Sequence, residues 1–161
     1  MNSIRRGVCS GSFDPVTCGH VDIFERAARL FDELTVCVFH NRQKEGFFSV
    51  EERVRLLREA TRHIDGLKVT AFSGLLADFL RQEDIHFIVR GLRSVADLEY
   101  ETPAERLNHQ LGNQVETVFL LTNPRYGHIS SSAIRELVAF GADASGLVPP
   151  CVAEALAGKT R

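Results

Sequence analysis

The sequence is short of several things, and each shortage excludes a class of protein. Its charge is nearly balanced, 19 Lys and Arg against 21 Asp and Glu for a net charge of -2. It therefore carries no overall basic field for nucleic acid, and any anion it binds is expected in a local pocket. No apolar run approaches the length of a membrane span, and the opening Met1 to Arg6 lacks the apolar region of a secretory signal, so a cytoplasmic chain is expected. The four cysteines, Cys9, Cys18, Cys37 and Cys151, show no metal-ligand spacing. Cys9 and Cys37 sit in apolar, strand-like runs, where a reduced cysteine packs as a small hydrophobe. Repeats, low-complexity tracts and linkers are missing too, and 161 residues suit one domain, 1–161, able to bury its own core.

What is present is an alternation of short β-favouring runs with helical patterns. Strands are expected up to Cys9 and over 34–39, 67–72, 87–89 and 116–121. Between and after them, apolar residues recur at helical spacing over 21–31, 50–62, 75–82, 95–111 and 131–139, and again beyond Pro149-Pro150 through Leu156. Ser49 with Glu52 three residues on reads as a capping box. Such alternation predicts an α/β fold, a Rossmann-like open five-stranded parallel sheet with helices on both faces. Ligands of such sheets bind outside the carboxyl ends of the strands. The polar groups of interest gather at those ends: Ser10 to Ser12, Lys44, Ser73-Gly74, Arg90 to Arg93, and Tyr126 to Ser132.

The stretch Ser10-Gly11-Ser12-Phe13-Asp14-Pro15-Val16-Thr17-Cys18-Gly19-His20 joins the first strand to the first helix. Its small residues let backbone approach a ligand, Asp14-Pro15 marks a turn, and Gly19 opens a helix N-terminus. That end offers unpaired N–H groups and partial positive charge to a phosphate. His20, in the first helical turn, is placed to donate to a phosphate oxygen as charge builds in a transition state. Cys18 stands at the same turn. It reads as a small filler, or, if exposed there, as a thiol whose thiolate is favoured.

Arg90-Gly91-Leu92-Arg93 sets two guanidinium groups beside a glycine, a phosphate grip or simply a solvated pair. Lys44 lies in a polar loop that says little by itself. Ile129-Ser130-Ser131-Ser132 opens a helix with three hydroxyls where a cap needs one, and the surplus suits a second anion. Thr102-Pro103 interrupts the pattern over 95–111. A proline there predicts a kink or restart with Thr102 as N-cap, displacing Glu101.

Together these motifs closely resemble the nucleotidyltransferases with a (T/H)xGH signature, here Thr17-Cys18-Gly19-His20, and in particular the phosphopantetheine adenylyltransferase family. Val89 to Glu101 is similar to that family's second signature almost without a break. The chain departs from the usual pattern at Ser10, Ser12, Cys18 and Tyr126-Gly127-His128. The resemblance implies transfer of adenylyl from ATP to 4′-phosphopantetheine, with Mg2+ bridging the ATP phosphates, in a homohexamer inhibited by coenzyme A. By the same resemblance His20, Lys44 and Arg93 are catalytic, and Ser12, Lys44, Leu76 and Arg90 meet the acceptor, Leu76 through a groove over 72–79. It assigns Ser12, Phe13, His20, Gly91, Leu92, Arg93 and Glu101 to ATP, together with Tyr126, Gly127, His128, Ile129, Ser130, Ser131 and Ser132. His128 itself is expected to face water. A related transferase acting on nicotinate mononucleotide or glycerol 3-phosphate, and a non-catalytic nucleotide-binding module, are the open alternatives.

Overall fold

Each short apolar run becomes a strand of one all-parallel sheet. The computed structural model describes residues 4–41, 43–111 and 115–159. Met1 to Ser3 of the opening stretch, and Arg42 in the loop that carries Lys44, lie outside the described residues. The strands β1 (Arg6–Gly11), β2 (Glu33–Phe39), β3 (Leu67–Phe72), β4 (Phe87–Leu92) and β5 (Glu116–Leu121) lie in the order β3-β2-β1-β4-β5. The helices are α1 (Cys18–Ala27), α2 (Val50–Ala60), α3 (Leu76–Gln82), α4 (Val95–Leu111), α5 (Ser131–Ala139) and α6 (Pro150–Lys159).

Side chains alternate across each strand, so the sheet needs a core on each face. Cys9, Val36, Val38 and Val89 point to one, where they pack with Phe24 of α1, Leu56 and Leu57 of α2, Ile134 of α5 and Val152 of α6. Val8, Cys37 and Ile88 point to the other, against Phe79 and Leu80 of α3. Helices cover both faces as the pattern predicts, and Cys9 and Cys37 are buried core thiols. Ser49 and Glu52 form the expected capping box on α2, with Ser49 Oγ accepting from the Glu52 amide at 3.1 Å and the Glu52 carboxylate from the Ser49 amide at 2.8 Å.

Two strands run further than their apolar runs. β1 continues through Ser10 and Gly11, which pair with Cys37 and Val38. β4 continues through Arg90, Gly91 and Leu92, which pair with Phe119, Leu120 and Leu121. Neighbouring strands extend the ladder past the apolar run, so these polar residues are strand residues rather than loop residues. The expected helix restart at Thr102-Pro103 is also corrected: α4 is assigned as one helix with Pro103 inside it, and Thr102 is not a cap. The Thr102 hydroxyl instead donates to the Leu98 carbonyl at 2.6 Å. No residue of α4 is buried, so water can reach a carbonyl that proline leaves without its helical donor, and the cost of the proline is reduced.

β1 has β2 on one side and β4 on the other. The chain thus reverses direction across the sheet between β1 and β4, which opens a crevice at their carboxyl ends.

Candidate active site

The crevice holds a cavity of about 350 Å³. Its floor is the end of β1, Cys9 to Ser12, and one wall is the start of α1. Thr17 is the N-cap of α1 and makes a reciprocal box with His20: Thr17 Oγ1 accepts from the His20 amide at 3.3 Å, while the Thr17 amide donates to His20 Nδ1 at 3.0 Å. A backbone N–H can only donate, so Nδ1 is the unprotonated nitrogen and the proton of the neutral ring sits on Nε2. Burial first, then the positive charge of Arg93 and Arg90, push the His20 pKa down to about 4. His20 is therefore a neutral N–H donor at physiological pH.

Phe13 supports that ring from below. Its own ring meets the His20 ring edge-on at 5.1 Å and Phe24 at 5.4 Å. The Phe13 backbone has a φ of 46°, a left-handed conformation unusual for a large side chain and one that stores strain beside the cavity. Asp14-Pro15 forms the expected turn, through a cis peptide bond.

The opposite wall carries the arginines. Arg90 donates from Nε and Nη2 to the two Glu101 carboxylate oxygens at 2.8 and 2.7 Å, and from Nη1 to the Ser10 carbonyl at 2.6 Å. Glu101 thus faces Arg90 across the cavity lining. Arg93 is held by Asp97, which takes its amide at 2.7 Å and its side chain at 3.2 and 3.3 Å. Burial opposes the Asp97 charge, but the Arg93 donors outweigh it and keep the carboxyl below its usual range.

At the third side, the start of α5, the hydroxyls are less available than the run of three suggested. Ser130 Oγ caps α5 by accepting from the Ala133 amide, Ser131 Oγ donates to the Pro15 carbonyl, and Ser132 Oγ accepts from Arg135. Arg135 also donates to the Asp14 carbonyl at 2.6 Å. Two of these contacts pin α5 to the β1–α1 loop. The Ser130 proton and the first amides of α5 are left to face a ligand.

The structure gathers Ser12, Phe13, His20, Arg90, Gly91, Arg93, Glu101, Tyr126, Ile129, Ser130 and Ser131 around this one cavity. Leu76 lines a smaller cavity, about 140 Å³, which shares Ser10, Arg90 and Glu101 with the first. The ion pair is thus the partition between the two. Lys44 does not line either cavity and is exposed in the loop after β2. Leu92 is buried in the core, and Ser132 and His128 are exposed, His128 as expected. Cys18 faces away, into a separate cavity of about 380 Å³ behind α1 that Cys151 also lines. Burial raises its thiol pKa, which favours the filler reading over the thiolate one.

Sequence reasoning missed Asp97 and Cys9 as members of the site, and took Thr17 only as part of the signature and not as the partner of His20. Thr17 lies three residues before His20, the spacing of a capping box, and Asp97 lies four after Arg93. Both signals were legible. Cys9 gave none beyond core packing, yet it lines the cavity beside Arg90, with burial pushing its thiol up to about 12. Among the described residues no group of three or more His, Cys, Asp or Glu could hold a metal ion, and no helix is long and apolar enough to cross a membrane.

Residues 8–137 match the cytidylyltransferase-like family. The phosphopantetheine adenylyltransferase of Symbiobacterium thermophilum is 53% identical over 154 residues, spanning 96% of this chain and 95% of its own length. Those of Shouchella clausii and Thermobifida fusca are each 48% identical over 153 and 156 residues, spanning 95% and 97% of this chain and 96% and 94% of their own lengths. A crystal structure from Vibrio parahaemolyticus, described as a candidate nicotinate-nucleotide adenylyltransferase, superposes with a TM-score of 0.72, covering 96% of this chain and 99% of its own. At 15% identity it shows a shared fold and nothing about substrate.

Proposed function

Because the chain belongs to the cytidylyltransferase-like family and, within it, to the phosphopantetheine adenylyltransferases, we propose that it transfers the adenylyl group of ATP to 4′-phosphopantetheine, releasing pyrophosphate and dephospho-coenzyme A. A phosphate oxygen of the acceptor attacks the α-phosphorus, and the bond from that phosphorus to the bridging oxygen of pyrophosphate breaks. The nucleophile is already an oxyanion, so no strong base is needed. Catalysis consists of aligning two anions and stabilising the charge that develops between them.

The observation that carries this reading is the His20 arrangement. A neutral imidazole with Nδ1 held by the Thr17 amide at 3.0 Å offers Nε2–H to the cavity at a helix N-terminus. A donor so fixed needs no reorganisation when the oxyanion forms. Arg93, the Ser130 hydroxyl and the first amides of α5 are assigned to the ATP phosphates, with Ser12, Phe13, Gly91, Glu101 and the 126–132 segment around the nucleotide and Leu92 buried behind them. Lys44 and Arg90 are assigned to the acceptor phosphate, and Leu76 with the smaller cavity to its arm. Arg90 already carries Glu101 as counter-charge, so an incoming phosphate must exchange with that carboxylate or share the guanidinium with it.

Magnesium would enter with ATP and would spread the charge of its phosphates. The chain's own donors toward those phosphates are cations and N–H groups, as suits a metal held by the nucleotide rather than by a protein cage. Family membership also supports a cytoplasmic homohexamer inhibited by coenzyme A.

The test is pyrophosphate release with ATP and Mg2+. 4′-Phosphopantetheine should react, while pantetheine, which lacks the attacking phosphate, should not. Preferential use of nicotinate mononucleotide or glycerol 3-phosphate would overturn the acceptor assignment.

A further inference from the structure

Among the described residues, Asp14 and Arg53 are the two buried charged side chains, 7% and 6% exposed, and the transfer itself uses neither. Both are directed at the segment that follows Lys44. The two Asp14 carboxylate oxygens accept from the Phe47 and Phe48 amides at 2.7 and 2.8 Å. Arg53 donates through Nε to the Phe48 carbonyl at 3.1 Å and through Nη1 to the Ser12 carbonyl at 3.0 Å. One guanidinium thus joins the loop after β2 to the residue at the cavity floor.

Gly46 is pressed into this junction. A Cβ at position 46 would stand 2.8 Å from the Phe48 carbonyl oxygen, 2.9 Å from Asp14 Oδ2 and 3.1 Å from Arg53 Nη2. Two of those atoms are held by hydrogen bonds and one is backbone, so the chain passes here only as glycine. Lys44 lies two residues upstream and is itself exposed. Two residues of chain span at most about 7 Å, so wherever Gly46 is seated bounds where the Lys44 backbone can be.

We propose that Asp14, Gly46 and Arg53 form a pivot that fixes the reach of Lys44 relative to Ser12 and the cavity, which makes Asp14 and Arg53 positioning residues for the transfer. The pivot rests on the reading of Lys44 as a contact of the acceptor phosphate. Its logic is that a lysine on a flexible stem is an effective counter-charge only if its root is held, since displacements near 1 Å are costly in aligned transfers. A buried carboxylate that accepts two backbone amides, beside a buried guanidinium that spans two backbone carbonyls, holds that root without adding a further charge to the cavity lining.

The experiment is a double-mutant cycle between Gly46→Ala and Lys44→Ala, with turnover, ATP affinity and thermal melting measured for each protein. Gly46→Ala should lower kcat by about tenfold or more with ATP affinity unchanged. In the Lys44→Ala background it should cost no more than about twofold further, because the residue it positions is gone. Arg53→Lys, which keeps the charge but lacks the fork that spans Ser12 and Phe48, should show the same non-additivity, and it serves if Gly46→Ala does not fold. Losses that multiply fully in the double variants would overturn the pivot while leaving the Lys44 reading intact. Unchanged turnover in Lys44→Ala alone would overturn the Lys44 reading, and the pivot with it.

Discussion

Helices α1 and α4 both reach the cavity, but they are held there by different means. α1 is capped by Thr17, buries Ile23, Phe24 and Ala27, and presents His20 from its first turn. α4 buries nothing, contains Pro103 and leaves Val95, Tyr100 and Leu107 well exposed. It contributes Asp97, Tyr100 and Glu101 to the cavity, where Glu101 is ion-paired with Arg90 of β4 and Asp97 with Arg93 just after it. The contrast separates two tasks. The donor for the transition state must be in place beforehand, so it stands on core packing. The groups that clasp substrates must yield to admit them, so they stand on ion pairs that an incoming phosphate can replace.

Breaking the α1 side should cost most. His20→Ala is expected to lower kcat by about 100-fold or more, the loss typical of one oxyanion donor, with ATP affinity nearly unchanged by calorimetry. On the α4 side, Asp97→Ala leaves Arg93 unrestrained, and the effect should fall on KM for ATP, raised by about tenfold or less, rather than on kcat. Equal effects of these two variants on kcat and KM would erase the distinction between the helices. Thr17→Val removes the cap hydroxyl but keeps the amide that holds Nδ1, so about 1 kcal/mol of stability should go, by denaturant titration, with a smaller loss of turnover than in His20→Ala. Pro103→Ala restores a helical donor inside α4, and amide exchange within α4 should slow while that of α1 stays the same.

How far the sequence was legible follows the same division. The strands and the α2 cap were readable because apolar period and capping chemistry are local signals, and the core that α1 packs on obeyed them. The restart expected at Pro103 did not occur, and because this helix lies on the surface, water can satisfy the carbonyl that proline orphans, which removes part of the cost of an interior proline. Arg90 and Glu101 stand eleven residues apart, on a strand and a helix, so no local spacing announced their pairing. Arg53 drew no notice in the sequence, because its burial depends on the loop folding back onto it. Lys44 was identified by resemblance alone, and its side chain remains outside the cavity wall.

The proposed transfer rests on His20 as a neutral ring, protonated at Nε2 and fixed before substrate arrives. The folded ring resists protonation until about pH 4, whereas an unfolded imidazole takes its proton near 6.5. Stability contributed by this group is therefore fully present above pH 6.5 and declines as pH falls toward 4. The direct measurement is the pair of ¹⁵N shifts of the His20 ring, followed from pH 8 to 4.5 beside turnover under saturating substrates. The expected result is an unprotonated Nδ1 and a protonated Nε2 down to about pH 5, with imidazolium growing in only below that, and no fall in turnover due to His20 above pH 5. A ring that is imidazolium at pH 6, or neutral with its proton on Nδ1, would contradict it.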